Sequence, residues 1–276
     1  MAKRAMRPNT NRVDTAKPVS AYDPVAEMYD VFWADWFFPA ALPALERLFF
    51  SRVSPNSRVL DLCCGSGHVT AELVSRGYRV TGIDNSQKLV ELARQKISAD
   101  RFVVADARQL PFGRTFEAVI STFDSLNHLL TLADLRSAFE SVRSVLRTGG
   151  QFVFDVNLEE AYFADLHNWT TMVKDSDVAL VKGQYNKRSK HARTELIWFH
   201  EIARGGNWRR VDACVEQRCY TYEELSGALN DMDFRIIEAV LGNDVGVRGD
   251  LGFGRLFVRA EAQVCGNTRT SMPSAA

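Results

Sequence analysis

The feature that most constrains the fold is a short apolar run that ends in an acid and then bends through glycines. The run Val59–Leu62 contains Asp61, and Gly65 and Gly67 follow before a helix-like segment opens at His68. A strand, a glycine turn and a helix in this order bring a ligand to the edge of a sheet. The pattern predicts an enzyme that binds a cofactor containing a nucleoside.

Strand-like and helix-like segments alternate around this turn. The strands are nearly all apolar, as is typical where helices cover both faces of a sheet. Such alternation favours an α/β fold with a Rossmann-like, doubly wound and mainly parallel seven-stranded sheet. The predicted strands are 58–62, 78–83, 102–105, 116–121, 151–156, 234–241 and 255–260, and the predicted helices are 68–76, 86–97 and 132–146. A capping box at Thr221–Glu224 predicts a further helix that runs to about Asn230.

Residues 21–56 read as helical pieces that precede the first strand. Three prolines are expected to break these helices, since proline lacks an amide hydrogen: Pro24, Pro39 and Pro43. The segment is so rich in aromatic residues that their side chains must be buried or must cover something. We expect a helical lid over the ligand site, with Trp33 and Trp36 in the core of the lid.

Composition narrows the class of protein. The chain of 276 residues carries 34 Lys and Arg against 34 Asp and Glu, so it lacks a global basic field for nucleic acid. It shows no secretory signal and no uninterrupted membrane span. The adjacent Cys63 and Cys64 suit reduced thiols, and the Cys and His spacings do not suit zinc. We expect a cytoplasmic protein with one domain, 21–262, between a disordered arm at 1–20 and a disordered tail at 263–276.

Charges near the glycine turn discriminate between nucleoside cofactors. Asp84 ends the second strand about 20 positions after Gly65, where a carboxylate accepts the ribose hydroxyls. The dinucleotide fingerprint is incomplete, because Thr70 stands where its third glycine would be. Asp61 would repel a pyrophosphate and attract an ammonium group. S-adenosylmethionine has an ammonium, a sulfonium and no phosphate, so the charges favour it over a nicotinamide dinucleotide.

Four local motifs follow one another, each at the carboxyl end of a predicted strand: Val59–Gly67, Gly82–Ser86, Ala105–Ala107 and Val119–Leu129. Together they resemble the motifs of class I S-adenosylmethionine-dependent methyltransferases, over about residues 57 to 157. They are similar to the glycine-rich first motif, the ribose-binding acid, the adenine loop and the fourth-strand motif at the reacting methyl. The chain departs from the family in having two cysteines before Gly65, where one is usual.

The resemblance implies a set of cofactor-binding residues: Tyr29, Asp61, Cys63, Gly65, Gly67, Asp84, Asn85, Asp106, Ala107 and Phe123. Asp61 and the Gly65 backbone would hold the methionine part, and Asp84 would bind the ribose. Asn85, Asp106 and Ala107 would frame the adenine. Tyr29 either touches the cofactor or belongs to the lid core. The structural alternative is that the glycines form only a turn and the acids only cap helices.

The same resemblance implies candidate catalytic residues in the fourth-strand motif. Methyl transfer is an in-line displacement, so alignment and the exclusion of water supply most of the catalysis. His128 is the candidate general base, and holding a loop or the substrate is its alternative role. Asn127 is a candidate for orienting the acceptor. A set of metal ligands is not evident, and the Pro-Pro-Tyr/Phe signature of enzymes that act on planar amides is absent from the motif.

Residues 158–220 are rich in β-forming residues, which predicts an antiparallel β insertion that caps the substrate site. Four side chains are candidates for its wall: Tyr185, Trp198, His200 and Arg218. A homodimer contact is another role for this insertion. Its basic residues suit a solvated face, and RNA is not favoured because the segment lacks an interleaved stacking array.

The leading hypothesis is a methyltransferase that acts on N or O of a small-molecule acceptor and releases S-adenosylhomocysteine. The alternatives are methylation of RNA or protein, a non-catalytic protein that binds S-adenosylmethionine, and a nicotinamide oxidoreductase, which Asp61 opposes.

Overall fold

Two β-sheets organise the protein in a computed structural model that describes residues 20–97, 102–163, 168–202 and 206–263. The strands are β1 Arg58–Leu62, β2 Arg79–Asp84, β3 Phe102–Val104, β4 Phe116–Ser121, β5 Leu146–Asn157, β6 Thr170–Lys174, β7 Asp177–Asn186, β8 His191–Glu201, β9 Trp208–Arg218, β10 Phe234–Leu241 and β11 Arg255–Ala262. The helices are α1 Ala26–Tyr29, α2 Asp35–Leu45, α3 His68–Ser75, α4 Gln87–Lys96, α5 Leu132–Val145 and α6 Tyr222–Asp231. The arm and tail expected at 1–20 and 263–276 lie outside the described residues, apart from their innermost residues.

The seven-stranded sheet has the order β10-β11-β5-β4-β1-β2-β3. β1 pairs in parallel with both β2 and β4, and β11 runs antiparallel to β5 and β10. This confirms the predicted α/β, mainly parallel, Rossmann-like sheet. The strand order reverses between β1 and β4, and a sheet of this kind binds ligands outside the carboxyl ends of the strands at such a point.

The predicted element boundaries mostly agree with the structure. Ser86 caps α4 by accepting a hydrogen bond from the Leu89 amide at 3.1 Å, and Thr221 and Glu224 form the predicted capping box of α6. β5 begins earlier than expected, because Leu146 pairs with Phe116 before the chain turns at Gly149, which has a φ of 75°.

Helices cover both faces of this sheet. On one face α5 and α6 bury Phe139, Leu135 and Leu225 against the strands. On the other face α2 and α3 pack around Leu45 and Leu73. The strands are therefore buried on both sides, which explains why they lack polar alternation. None of the described helices is both long enough and apolar enough to cross a membrane.

The lid is one helical run rather than separate pieces. It continues from Asp23 to Phe50 through 3₁₀, α and π turns. The expectation that prolines break it was wrong for Pro39 and Pro43, which lie inside α2. They are four residues apart on the exposed face of the helix, where water can bind the carbonyl groups that lose an amide partner.

The antiparallel insertion forms the second sheet, with the order β6-β7-β8-β9. One of its faces packs on the start of the lid, where Ala179, Leu196 and Trp198 bury Val25 and Met28. Lid and insertion therefore share a small apolar core, so the insertion holds the lid in place above the main sheet.

Candidate active site

A cavity of about 500 Å³ lies between the lid, the insertion and the carboxyl ends of the main-sheet strands. The structure brings most of the predicted site residues together on its wall: Tyr29, Cys63, Gly65, Asp84, Asn85, Asp106, Ala107, Phe123 and His128. A volume of this size suits a small organic ligand. The positions of these residues follow from the fold, because parallel strands end at the same edge.

The turn after β1 has left-handed backbone at both of its glycines and at Cys63, which has a φ of 61°. Gly65 has a φ of 53°, and a Cβ atom there would lie 3.2 Å from the Tyr29 ring. Tyr29 therefore closes over the turn, and the absent side chain leaves room for that contact. Gly67 has a φ of 84°, and a Cβ there would lie 2.9 Å from the Cβ of Ala93 on α4. Gly67 thus permits helix packing behind the turn rather than lining the cavity.

The Asp84 carboxylate is oriented by two backbone amides. The Gly65 amide donates to Oδ2 and the Ser86 amide donates to Oδ1, both at 2.9 Å. Asp84 lines the cavity although it is only 7% exposed, and burial raises the pKa of its carboxyl group. A carboxylate has about four acceptor positions, so acceptor capacity remains for ligand hydroxyls.

The far end of the cavity is framed by Asn85, Asp106 and Ala107. Arg108 holds Asp106 through its backbone amide at 2.9 Å and its guanidinium at 2.7 Å, and this ion pair lowers the pKa of the Asp106 carboxyl. Ser20 at the start of the lid donates to the side-chain oxygen of Asn85 at 3.1 Å. Lid and loops therefore meet at this end.

Asp61 lies behind the main cavity, in a small adjoining pocket that Tyr29 and Cys63 also line. It is 1% exposed and accepts a hydrogen bond from the Thr70 hydroxyl at 2.5 Å. Burial raises the pKa of its carboxyl to about 7, and the Thr70 bond offsets part of that effect. A cationic ligand group would stabilise the ionised form, whereas a phosphate would be repelled.

The hydrogen bonds of His128 define its tautomer. Nδ1 lies 2.8 Å from the carbonyl oxygen of Glu216, which can only accept, so Nδ1 carries the proton. Nε2 is then an acceptor, and the Tyr22 hydroxyl donates to it at 3.0 Å. Burial lowers the pKa of the ring, so the imidazole is neutral at physiological pH. The side chain of Gln217 lies 3.2 Å from the same nitrogen.

Asn127 is fully buried and bonds only to backbone in the structure. Its amide nitrogen donates to the carbonyl oxygens of Asn157 at 3.1 Å and Arg218 at 2.8 Å, and its oxygen accepts from the Asn157 amide at 2.9 Å. Both amide hydrogens are occupied, so this placement does not support the expected role in orienting an acceptor. Asn127 instead ties β5 to the edge of β9.

The expected wall residues of the insertion lie elsewhere. Trp198 and His200 bond to Asp177, at 2.6 and 3.0 Å, within the insertion itself. Tyr185 bonds to Glu159 and Arg218 to Glu224. The insertion residues that line the cavity are Arg193, Cys214 and Glu216. No local pattern predicts them, because their position depends on the docking of β9 against the distant loop around His128.

Comparison with known proteins agrees with this geometry. A family model described as a methyltransferase domain matches residues 59–150. The chain is 31% identical over 212 residues to the putative methyltransferase YqeM of Bacillus subtilis (strain 168), covering 74% of this chain and 79% of that protein. The chain belongs to the class I S-adenosylmethionine-dependent methyltransferases.

Two further relatives extend the comparison. A S-adenosylmethionine-dependent methyltransferase from Clostridium acetobutylicum has the same fold, with a TM-score of 0.71, 22% identity and coverage of 88% of this chain and 99% of that chain. The dTDP-3-amino-3,4,6-trideoxy-alpha-D-glucopyranose N,N-dimethyltransferase of Streptomyces venezuelae is 27% identical over 172 residues, covering 62% of this chain and 70% of that protein.

The residues present fit the cofactor of this methyltransferase family. The acids Asp84 and Asp106 line the main cavity and Asp61 lies beside it, which suits hydroxyl, amino and ammonium groups. The one Lys or Arg that lines the main cavity among the described residues is Arg193, on β8 rather than at the glycine turn. A phosphate-free, positively charged nucleoside is therefore the matching ligand, and a dinucleotide is not.

Proposed function

We propose that this methyltransferase acts in the cytoplasm on N or O of a small-molecule acceptor. The observation that carries the proposal is the position of the cavity between the lid and the edge strand β9, where it forms a chamber of about 500 Å³. A chamber of this size has room for a cofactor and a small acceptor. The described cysteines, Cys63, Cys64, Cys214 and Cys219, are free thiols, as suits a reducing compartment.

We assign each part of the cofactor to residues on the cavity wall. Asp61 and the Gly65 backbone would hold the methionine part, Asp84 the ribose, and Asn85, Asp106 and Ala107 the adenine. When bound, S-adenosylmethionine supplies a methyl group on a sulfonium, which is a good leaving group. Tyr29 and Phe123 line the chamber and would shield the bound cofactor from water, which strengthens the electrostatic interactions inside.

His128 is the group that would take a proton from the acceptor. Its neutral Nε2 faces the Tyr22 hydroxyl at 3.0 Å, and its Nδ1 is anchored to β9. A general base must be unprotonated at the operating pH, and the lowered pKa of the ring keeps Nε2 unprotonated, so that it can take a proton through the Tyr22 hydroxyl bonded to it. Anchoring also fixes the ring, so the same contacts support a role in positioning the acceptor.

The charges of the insertion argue against an RNA substrate. Several of its basic residues form ion pairs with nearby carboxylates: Lys187 with Glu159 at 3.0 Å, Lys190 with Glu224 at 3.2 Å and Arg210 with Asp212 at 2.6 Å. Paired cations release fewer counterions on binding a phosphate backbone, so they contribute little affinity for it.

The proposal is tested by a screen of amine, hydroxyl and carboxylate metabolites for release of S-adenosylhomocysteine. We expect turnover with members of the amine or hydroxyl classes. Turnover only with RNA or protein would contradict the proposal. Cofactor binding without turnover of any class of acceptor would instead identify a non-catalytic binding protein.

A further inference from the structure

A second cavity of about 300 Å³ lies next to the cofactor chamber. Tyr22, Tyr29 and Phe123 line both cavities, so these three rings form a partition between them. Tyr22 meets Tyr29 edge to face with ring centroids 5.8 Å apart, and Tyr29 lies 6.0 Å from Phe123. The second cavity therefore adjoins the cofactor chamber at these three rings.

Aromatic rings dominate the wall of the second cavity. Trp33 and Trp36 of the lid line it together with the partition. Trp36 is 47% exposed, so the expectation that both tryptophans fill the lid core was wrong. Aromatic faces carry negative charge density, so they attract organic cations as well as apolar groups.

Among the described residues, the charged side chains that line the second cavity are Asp124, Asp250 and Arg255, and together they favour a cationic ligand. Arg255 is 5% exposed and already engaged, since it pairs with Asp124 at 2.8 Å, pairs with Asp155 and donates to the Leu251 carbonyl at 3.2 Å. Two carboxylates thus share one guanidinium. Asp250 adds a further exposed carboxylate at the cavity wall.

A polar path joins this cavity to His128. Gln217 lines the second cavity, and its side-chain nitrogen lies 3.2 Å from His128 Nε2. Tyr22 lines both cavities, and its hydroxyl donates to the same nitrogen. A proton leaving a group in the second cavity therefore has a route to the neutral imidazole through the Tyr22 hydroxyl.

We propose that the second cavity binds the methyl acceptor and selects an apolar amine that carries neither phosphate nor carboxylate. This inference rests on the proposed function and specifies its substrate class. The bound ammonium gives one proton to the Tyr22 oxygen while the Tyr22 hydroxyl proton moves to His128 Nε2. The amine is then neutral with a free lone pair, Tyr22 is unchanged and His128 is protonated.

The proposal separates this chain from its Streptomyces venezuelae relative. That relative is named for an acceptor that carries a nucleoside diphosphate. The second cavity of this chain places Asp124 and Asp250 on its wall, and Arg255, the one Lys or Arg that lines it among the described residues, is already paired with carboxylates. An anionic acceptor would therefore meet like charge there without a compensating partner.

Calorimetry with the protein saturated with S-adenosylhomocysteine tests the inference. The probes are benzylamine and tyramine, with tyrosine and tyramine O-phosphate as their anionic counterparts. We expect the two amines to bind at least tenfold more tightly than the two anionic compounds. Equal or tighter binding of the anionic compounds, or no binding of either amine, would overturn the inference.

Variants locate the binding site. We expect Trp33→Leu and Asp250→Asn to weaken amine binding about tenfold and threefold, with affinity for S-adenosylhomocysteine unchanged. Asp250 is exposed, so its variant keeps the fold, and Asp212→Asn on the exposed part of β9 is a matched control that should change nothing. Unchanged amine affinity in both cavity variants would place the acceptor elsewhere. Failure of the wild-type protein to bind S-adenosylhomocysteine would instead defeat the proposed function.

Discussion

Tyr22 and His128 lie 106 positions apart in the chain, yet the Tyr22 hydroxyl is 3.0 Å from the Nε2 atom of His128. The rings also meet edge to face, with centroids 5.3 Å apart. Tyr22 belongs to the lid and His128 to the loop after β4. The position of the lid is therefore coupled to the orientation of the candidate base.

Replacing His128 with alanine should reduce turnover far more than cofactor affinity. A positioned general base contributes roughly 10²-fold or more, so we expect kcat to fall by at least that factor while the Kd for S-adenosylhomocysteine stays within twofold. The measurements are steady-state kinetics and calorimetry. His191→Ala on an exposed hairpin is the matched control. A His128→Ala enzyme with wild-type kcat would remove His128 from the chemistry.

The pH dependence of turnover should reflect the lowered pKa of His128. The ring must be neutral to accept a proton. Burial lowers its pKa below the usual value near 6.5, so the ring stays neutral at more acidic pH than an exposed histidine does. With saturating cofactor and acceptor, kcat should therefore stay level from pH 8 to pH 6.5 and fall only at lower pH. A decline that begins above pH 7 would contradict a neutral, buried His128.

Cofactor affinity should rise with pH because of Asp61. Its carboxyl has a pKa near 7 in the protein, and the ammonium of the cofactor favours the ionised form. Below that pKa a proton must leave before the ion pair forms, so affinity should fall roughly tenfold per pH unit in the acid limit. Calorimetry between pH 5.5 and 8 measures this slope. The Asp61→Asn protein should bind weakly and without the slope, whereas a slope that persists in it would assign the proton to another group.

The two glycines of the first turn should respond differently to alanine. Gly65→Ala places a Cβ against Tyr29, so we expect weaker cofactor binding in a folded protein. Gly67→Ala forces a side chain against Ala93 at a φ of 84°, so we expect a loss of about 1–3 kcal/mol in the free energy of unfolding. Gly227→Ala in α6 meets no neighbour within 4 Å and serves as the control in denaturant unfolding and calorimetry. Equal behaviour of the first two variants would contradict this division of roles.

The lid should become more protected when the cofactor binds. Its contacts with the site include Ser86 donating to Asp23 at 2.5 Å and His68 paired with Asp30 at 3.0 Å. Hydrogen exchange measured with and without S-adenosylhomocysteine should slow across residues 21–50, with β10 as an internal reference that does not change. Identical exchange in both states would show that these residues do not close over the cofactor.

Much of the fold could be predicted from the sequence, because the determining signals are local. The apolar runs of β1 and β4 end at the residues expected, and the caps at Ser86 and Thr221 depend on neighbours three positions away. The loop residues that line the cavity follow from the same logic, since each comes directly after a strand that ends at one sheet edge.

The rest depends on contacts between distant parts of the chain. Glu216 reaches the cavity because β9 docks its edge against His128, 88 positions away. The second cavity is lined by residues of the lid and of the insertion and by Arg255, which are far apart in the sequence. A local sequence pattern therefore cannot predict it. The prediction that Pro39 breaks the helix was wrong for a related reason. The energetic cost of a proline inside a helix depends on whether the carbonyl group that loses its hydrogen bond faces water.

Calorimetric titration with S-adenosylhomocysteine of the wild-type protein and of Asp84→Asn tests whether this cavity binds the cofactor. Asparagine keeps the shape of Asp84 but loses the charge, and each hydrogen bond to a charged group contributes about 1.5–3 kcal/mol. We expect one site per chain in the wild type and binding weakened at least 100-fold in Asp84→Asn, with an unchanged circular dichroism spectrum. Equal affinity in the two proteins would contradict the assignment of this cavity to the cofactor.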